Sequence, residues 1–115
     1  MIIKSIFIPN IKNNITFYIG QNAEENFQII DNAKQTDLWF HIHQHSSCHV
    51  VASIPEKYNK KQLHRIAVQG GLLCKQYSKF KCHSNVNIVY CKGMHVKKTD
   101  ILGQVEIQHE KYMLL

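Results

Sequence analysis

The sequence predicts a single α+β domain over residues 1–115, a mainly antiparallel sheet carrying two helices in the order ββα-ββ-α-ββββ. Three observations predict it. The stretch from Asp37 to Ile54 alternates apolar and polar residues on either side of a polar break. Two windows, after Asn22 and after Asn59, open on a capping residue and continue at helical spacing. Both ends of the chain are short β-branched and aromatic runs broken by turn residues.

Met1 to Ile8 reads as a first strand, Pro9 to Asn14 as a loop, and Ile15 to Ile19 as the second strand of a hairpin. Asn22 suits a helix N-cap, with Glu25 at the reciprocal N3 position. Ala23, Phe27, Ile30 and Ala33 then form the apolar stripe of a first helix. An anion site at this helix start is disfavoured, because Glu24 and Glu25 already occupy the positive end of its dipole.

The central hairpin follows. Leu38, Phe40 and Ile42 lie on one face of its first strand, with Trp39, His41 and His43 on the other. Cys48, Val50, Ala52 and Ile54 oppose His49, Val51 and Ser53 on its second strand, and Gln44 to Ser47 form the loop. Opposite residues of an antiparallel pair share a face, so the register that buries both apolar sets pairs even numbers with even. That register gathers Trp39, His41, His43 and His49 on the second face, either beneath a covering helix or as a binding surface.

Asn59 and Gln62 repeat the capping pattern, so a second helix starts near Lys60. Its stripe is Leu63, Ile66, Ala67, Gly70, Leu73, Cys74 and Tyr77. Two glycines mid-helix, Gly70 and Gly71, cost about 1 kcal/mol each against alanine and point to close packing or a kink. Val86 to Tyr90 and Met94 to Lys98 read as strands. Gly103 to Ile107 and Tyr112 to Leu115 read as two more, around a turn at His109 and Glu110.

Fourteen basic residues against eight acidic ones give a net charge of +6, with the basic excess after Glu56. A polyanionic partner fits this balance. No apolar run is long enough to cross a bilayer, and Met1 to Ile8 has neither the length nor the cleavage site of a signal peptide. The expected location is the cytoplasm, with the nucleus as alternative. Cys48, Cys74, Cys82 and Cys91 lack paired spacing and read as free thiols.

Asp37-Leu38-Trp39-Phe40-His41, followed by Ser46-Ser47-Cys48-His49-Val50, resembles the signature of the NFACT-R domain family. Gly20-Gln21-Asn22 with Asn26, the Tyr77-Ser78 pair, Asn87 to Tyr90, Val96-Lys97-Lys98 and Gly103-Gln104-Val105 are similar to its other segments, in the same order. The family pattern has Lys or Arg where this chain has Gln21, and Cys48 stands at a small-residue position. The resemblance implies RNA binding in ribosome quality control, with tRNA or the ribosome as partner. It is nearest to the short eukaryotic members, in which a coiled coil follows the domain. Nucleic-acid binding, DNA included, is associated with that branch.

The candidate binding residues are Trp39, as a stacking platform, and His41 and His49, as donors to phosphate or base edges. Arg65, Lys75, Lys79, Lys81, Lys97 and Lys98 complete the set, as a patch formed if the second helix meets the Lys97-Lys98 segment. His41 and His43 stand about 7 Å apart on one strand face, workable for a metal, but no C-x-x-C or nearby carboxylate beyond Asp37 accompanies them. No metal or cofactor is expected. Catalysis is not expected either: Cys48 and His49 are strand neighbours facing opposite ways, and no phosphate-binding loop or nucleophile-elbow motif is present. The competing reading is a protein-binding adaptor on a ribosome-associated factor.

Overall fold

The computed structural model describes all 115 residues. Eight strands and two α-helices follow one another as β1 (Ile2–Ile8), β2 (Asn13–Gly20), α1 (Ala23–Asp31), β3 (Leu38–Ile42), β4 (His49–Ala52), α2 (Lys60–Gln76), β5 (Asn87–Lys92), β6 (Val96–Lys98), β7 (Val105–Ile107) and β8 (Lys111–Leu114). Six strands form one sheet in the order β1-β2-β4-β3-β5-β8, every pair antiparallel. β6 and β7 pair only with each other. The α+β class and the order of elements are therefore as the sequence predicts. No helix is long and apolar enough to cross a membrane.

The sheet is the middle of three layers. One face carries the larger core, where Phe17, Ile19, Phe40, Ile42, Val50 and Ile88 meet Ile66, Ala67, Leu73 and Cys74 of α2. The apolar stripe of α2 is the predicted one, and its capping box is complete, with Asn59 and Gln62 each bonding the other's backbone N–H. The helix needs glycine at position 70 because a Cβ there would run into the Phe40 ring. Close packing, rather than a kink, accounts for this residue.

The other face carries a smaller core of Ile29, Trp39, Val51, Val89 and Cys91. Two pieces cover it. Ile30 and Ala33 come from α1 or its end, and Val96, Val105 and Ile107 come from the β6–β7 ribbon. Two expectations change here. Asn26 and Ile29 are the residues α1 buries most deeply, while Phe27 sits at the rim beneath Lys98 Nζ, 5.2 Å from its ring centroid. Glu25 does not complete a capping box: its carboxylate accepts the Gln21 N–H at 3.0 Å and pairs with the Met1 amine at 2.7 Å. The segment at His109 and Glu110 is a turn between two short strands, as predicted, and those strands belong to different sheets. It carries the chain from the ribbon back to the far edge of the main sheet, where β8 pairs with β5.

Candidate nucleic-acid interface

The β3–β4 hairpin has the predicted register, with Leu38 opposite Ala52, Trp39 opposite Val51 and Phe40 opposite Val50. Trp39, His41 and His49 consequently meet on the face that α1 covers. The Trp39 and His41 rings stack at 5.7 Å and 6°, and His49 stands edge-on to both, at 5.2 and 4.9 Å. His43 turns to the Tyr112 ring, 4.9 Å away.

Burial decides what these rings can do. Trp39 is 2% exposed and His49 3% exposed. The Trp39 Nε1–H donates to His49 Nδ1 at 3.2 Å, and the His49 backbone N–H donates to Asn26 Oδ1 at 3.2 Å. Gly20 lets Asn26 approach this closely, since a Cβ on Gly20 would overlap the Asn26 amide oxygen. Trp39 is thus a core side chain and not a stacking platform. His49 is its acceptor and not a ligand donor. α1 and the ribbon supply the apolar cover that seals both. His41 keeps part of its surface open.

An imidazole that accepts a buried N–H must be neutral. Burial, with His41 beside it, pushes His49 from an ordinary value of 6.5 down to about 3. His41 is also lowered, first by burial, with His43 adding to the effect against a hydrogen bond at Ile42. A depressed histidine pKa means the unfolded chain binds the extra proton. The His49 contribution is therefore fully present above pH 6.5 and is lost as pH falls toward 3. Urea denaturation should show a slope that approaches about 1.4 kcal/mol per pH unit from this one proton between about pH 5.5 and pH 4. His49→Gln should remove that component; an unchanged slope would contradict the assignment.

Beyond the sealed rings, a groove of about 910 Å³ runs across the hairpin-tip end of the sheet. The turn before α1 supplies Gln21 and Asn22, and α1 itself supplies Asn26. The hairpin supplies His41, His43, Gln44, Ser46 and Ser47, with the edges of Trp39 and His49 as floor. Tyr77, Ser78 and Lys79 come from the end of α2, and residues 101–105 come from the loop leading into β7. Of these residues, Trp39, His41, His49 and Lys79 are candidate binding residues in the sequence. Gln21, Asn22, Tyr77, Ser78 and Gln104 carried a signal that was not used: each lies in a segment similar to the NFACT-R pattern.

The predicted cations do not form one patch. Lys75, Lys79 and Lys81 lie at or just beyond the end of α2, and Lys79 lines the groove. Lys79 Nζ sits 5.4 Å over the Phe80 ring, which His45 and His83 also flank, at 4.7 and 5.2 Å. Arg65 is ten positions upstream of Lys75 on the helix, about 15 Å along its axis. Lys97 and Lys98 lie across the sheet from α2. Lys98 pairs with Asp31 at 2.6 Å, and Lys97 is opposite Glu106 in the ribbon register. The sheet keeps the two groups apart, so the expected meeting of α2 with Lys97-Lys98 does not occur.

The hydroxyls and thiols near the histidines are engaged elsewhere. Ser47 Oγ accepts the Ile42 N–H at 3.2 Å and donates to the Cys48 carbonyl at 3.0 Å. Cys48 Sγ donates to the Cys74 carbonyl, and Cys74 Sγ to that of Cys48. The hydrogen bond with the Cys48 thiol, and then burial, raise Cys74, and burial raises Cys91 to about 12, so neither is a ready thiolate. No three His, Cys, Asp or Glu side chains are grouped so as to hold a metal ion.

Comparison with known proteins agrees with this architecture. The family model described as the NFACT protein RNA binding domain matches residues 5–109. Coiled-coil domain-containing protein 25 of Danio rerio is 31% identical over 100 residues, which cover 84% of this chain and 48% of the relative. The Bos taurus protein of the same name is 28% identical over 107 residues, with the same two coverages. The chain thus spans about half the length of the curated relatives it matches. Among solved structures, the C-terminal part of the fibronectin/fibrinogen-binding protein from Streptococcus suis superposes with a TM-score of 0.81 over 98% of this chain and 45% of that one. At 17% sequence identity this likeness speaks for the fold alone. With the family model covering nearly its whole length, the chain belongs to the family of NFACT protein RNA-binding domains.

Proposed function

We propose that this chain is a non-catalytic module that holds an unpaired segment of tRNA or rRNA in the hairpin-tip groove, in the setting of ribosome quality control. One observation carries the reading. Segments far apart in the sequence, each similar to the family pattern, contribute to one groove: Gln21, Asn22 and Asn26, then Trp39 and His41, Ser46 to His49, Tyr77-Ser78, and Gly103 to Val105. The polar groups of Gln21, Asn22, His41 and Gln44 suit the edges of unstacked bases, and Lys79 with Lys75 and Lys81 suits the phosphates. Neutral His41 offers one ring donor and one acceptor rather than a charge. The cytoplasm is the proposed location, with the nucleus as alternative; free thiols and an RNA partner fit both.

Anisotropy titrations with single-stranded RNA and with tRNA over a range of salt test this. Binding should weaken steeply as salt rises. Lys75→Gln with Lys79→Gln should lower the slope of log K against log salt by about 1.4, from two phosphate contacts at about 0.7 each. Lys97→Gln with Lys98→Gln should change it less. Stronger retention of single-stranded DNA would redirect the proposal to DNA. No retention at any salt would favour the adaptor reading, for which exposed Ile101 and Leu102 at the groove rim are apolar anchors.

A further inference from the structure

The edge of the main sheet at β1 is open, and its sequence is its own complement. β1 pairs with β2 on one side and with nothing on the other. The hydrogen-bond directions of this edge follow from β2. The Ser53 N–H donates to the Thr16 carbonyl at 2.9 Å, so Thr16 directs its backbone groups toward β4. Ser5, opposite Thr16, must then direct its own N–H and C=O away from β2. The alternation gives Ile3 and Phe7 the same outward direction. Three residues thus offer unpaired backbone groups along one free edge.

The side chains of those residues are apolar where they are large. Ile3 is 61% exposed and Phe7 58% exposed, on the face of the sheet that carries Tyr18. α1 packs over β2 and β4 and leaves this outer strip uncovered. The usual protections of an edge strand are missing from Ile2–Ile8: it holds no proline, and its one charged side chain, Lys4, leans over the Tyr77 ring at 5.6 Å on the opposite face.

We propose that β1 joins two copies of this chain edge to edge, antiparallel, across a twofold axis at Ser5. The run Ile-Ile-Lys-Ser-Ile-Phe-Ile sets Ser5 against Ser5 of the second copy, Ile3 against Phe7 and Ile2 against Ile8. The outward backbone groups of Ile3, Ser5 and Phe7 fall into hydrogen-bonded pairs in this register, each exchanging both bonds. The exposed Ile3 and Phe7 side chains cover one another across the axis. A shift by one residue would pair outward groups with inward ones, and a shift by two would leave one large apolar residue on each copy unmatched. A seven-residue edge is about 23 Å long, so the dimer is a reversible one that fills at high protein concentration. The inference is independent of the RNA reading, since the groove opens at the strand ends and not along β1.

Sedimentation equilibrium from micromolar to millimolar protein tests it. The wild-type chain should pass from a 13.4 kDa monomer to twice that mass. Ser5→Pro removes only an outward N–H and should hold the chain monomeric at an unchanged melting temperature. Ile3→Lys with Phe7→Lys sets like charges opposite and should also abolish the dimer. Ile3→Glu with Phe7→Lys sets opposite charges across the axis and should restore it. A wild-type chain that stays monomeric throughout overturns the proposal and leaves the edge to a strand of another protein. Dimers that persist in Ser5→Pro, or that fail to return in the Glu/Lys pair, overturn the assigned edge or register.

Discussion

Replacing Trp39 with alanine is expected to lower the unfolding free energy by about 3–5 kcal/mol. The indole fills the centre of the smaller core, between Val51 and Val89 of the sheet and the ribbon residues Val96, Val105 and Ile107. Its removal leaves a cavity that α1 and the ribbon must either collapse into or leave open. It also leaves His49 Nδ1 without its donor in a site that is 3% exposed. Urea denaturation followed by circular dichroism measures the loss. A loss under about 1 kcal/mol would mean the indole is not the core side chain described here.

Asp37→Ala is expected to cost about 2–5 kcal/mol, although its side chain touches no part of the groove. Its carboxylate accepts the Ile54 N–H and the Lys34 N–H, both at 2.9 Å, while its carbonyl takes the Gly93 N–H at 2.7 Å. The residue fastens the entry of β3 to the exit of β4 and to the turn after β5. Alanine would strand the buried Ile54 N–H and take a charged acceptor from the part-buried Lys34 N–H; hydrogen bonds to a charged group contribute about 1.5–3 kcal/mol each. Asp37→Asn keeps one acceptor oxygen and should fall between wild type and alanine. Equal stability of all three chains in the same denaturation series would contradict this role. The acidic residue that opens the family-like segment is thus a fold residue.

The same distinction explains what could be read from the sequence. The hairpin register was legible because a period of two leaves one pairing that buries both apolar sets. The meeting of Trp39, His41 and His49 followed from it. Gly70 was legible as a close approach, and the Phe40 ring is the reason. Whether the ring cluster would be open or sealed was not legible, because the answer lies in the β6–β7 ribbon folding back over the sheet. Local pattern showed a turn at His109 and Glu110 with a strand on either side, and only the two-sheet topology shows that the two strands take different partners. The lysines were visible one by one. Their division into a group at the end of α2 and a group on the ribbon beside Asp31 and Glu106 depends on which side of the sheet each element takes. The groove went unread for a similar reason. Its walls come from elements up to eighty residues apart, and polar residues such as Gln21, Gln44 and Gln104 look like ordinary loop residues until the fold brings them together.

The most direct test of the interface is amide chemical-shift mapping, with isotope-labelled protein titrated by single-stranded RNA at low salt. The account predicts that shifts concentrate at Gln21 and Asn22, at Gln44 to Ser47, at Tyr77 to Lys79 and around Gly103 and Gln104. Shifts confined to the outer face of α2 near Arg65, or to Lys97 and Lys98 on the ribbon, would contradict it.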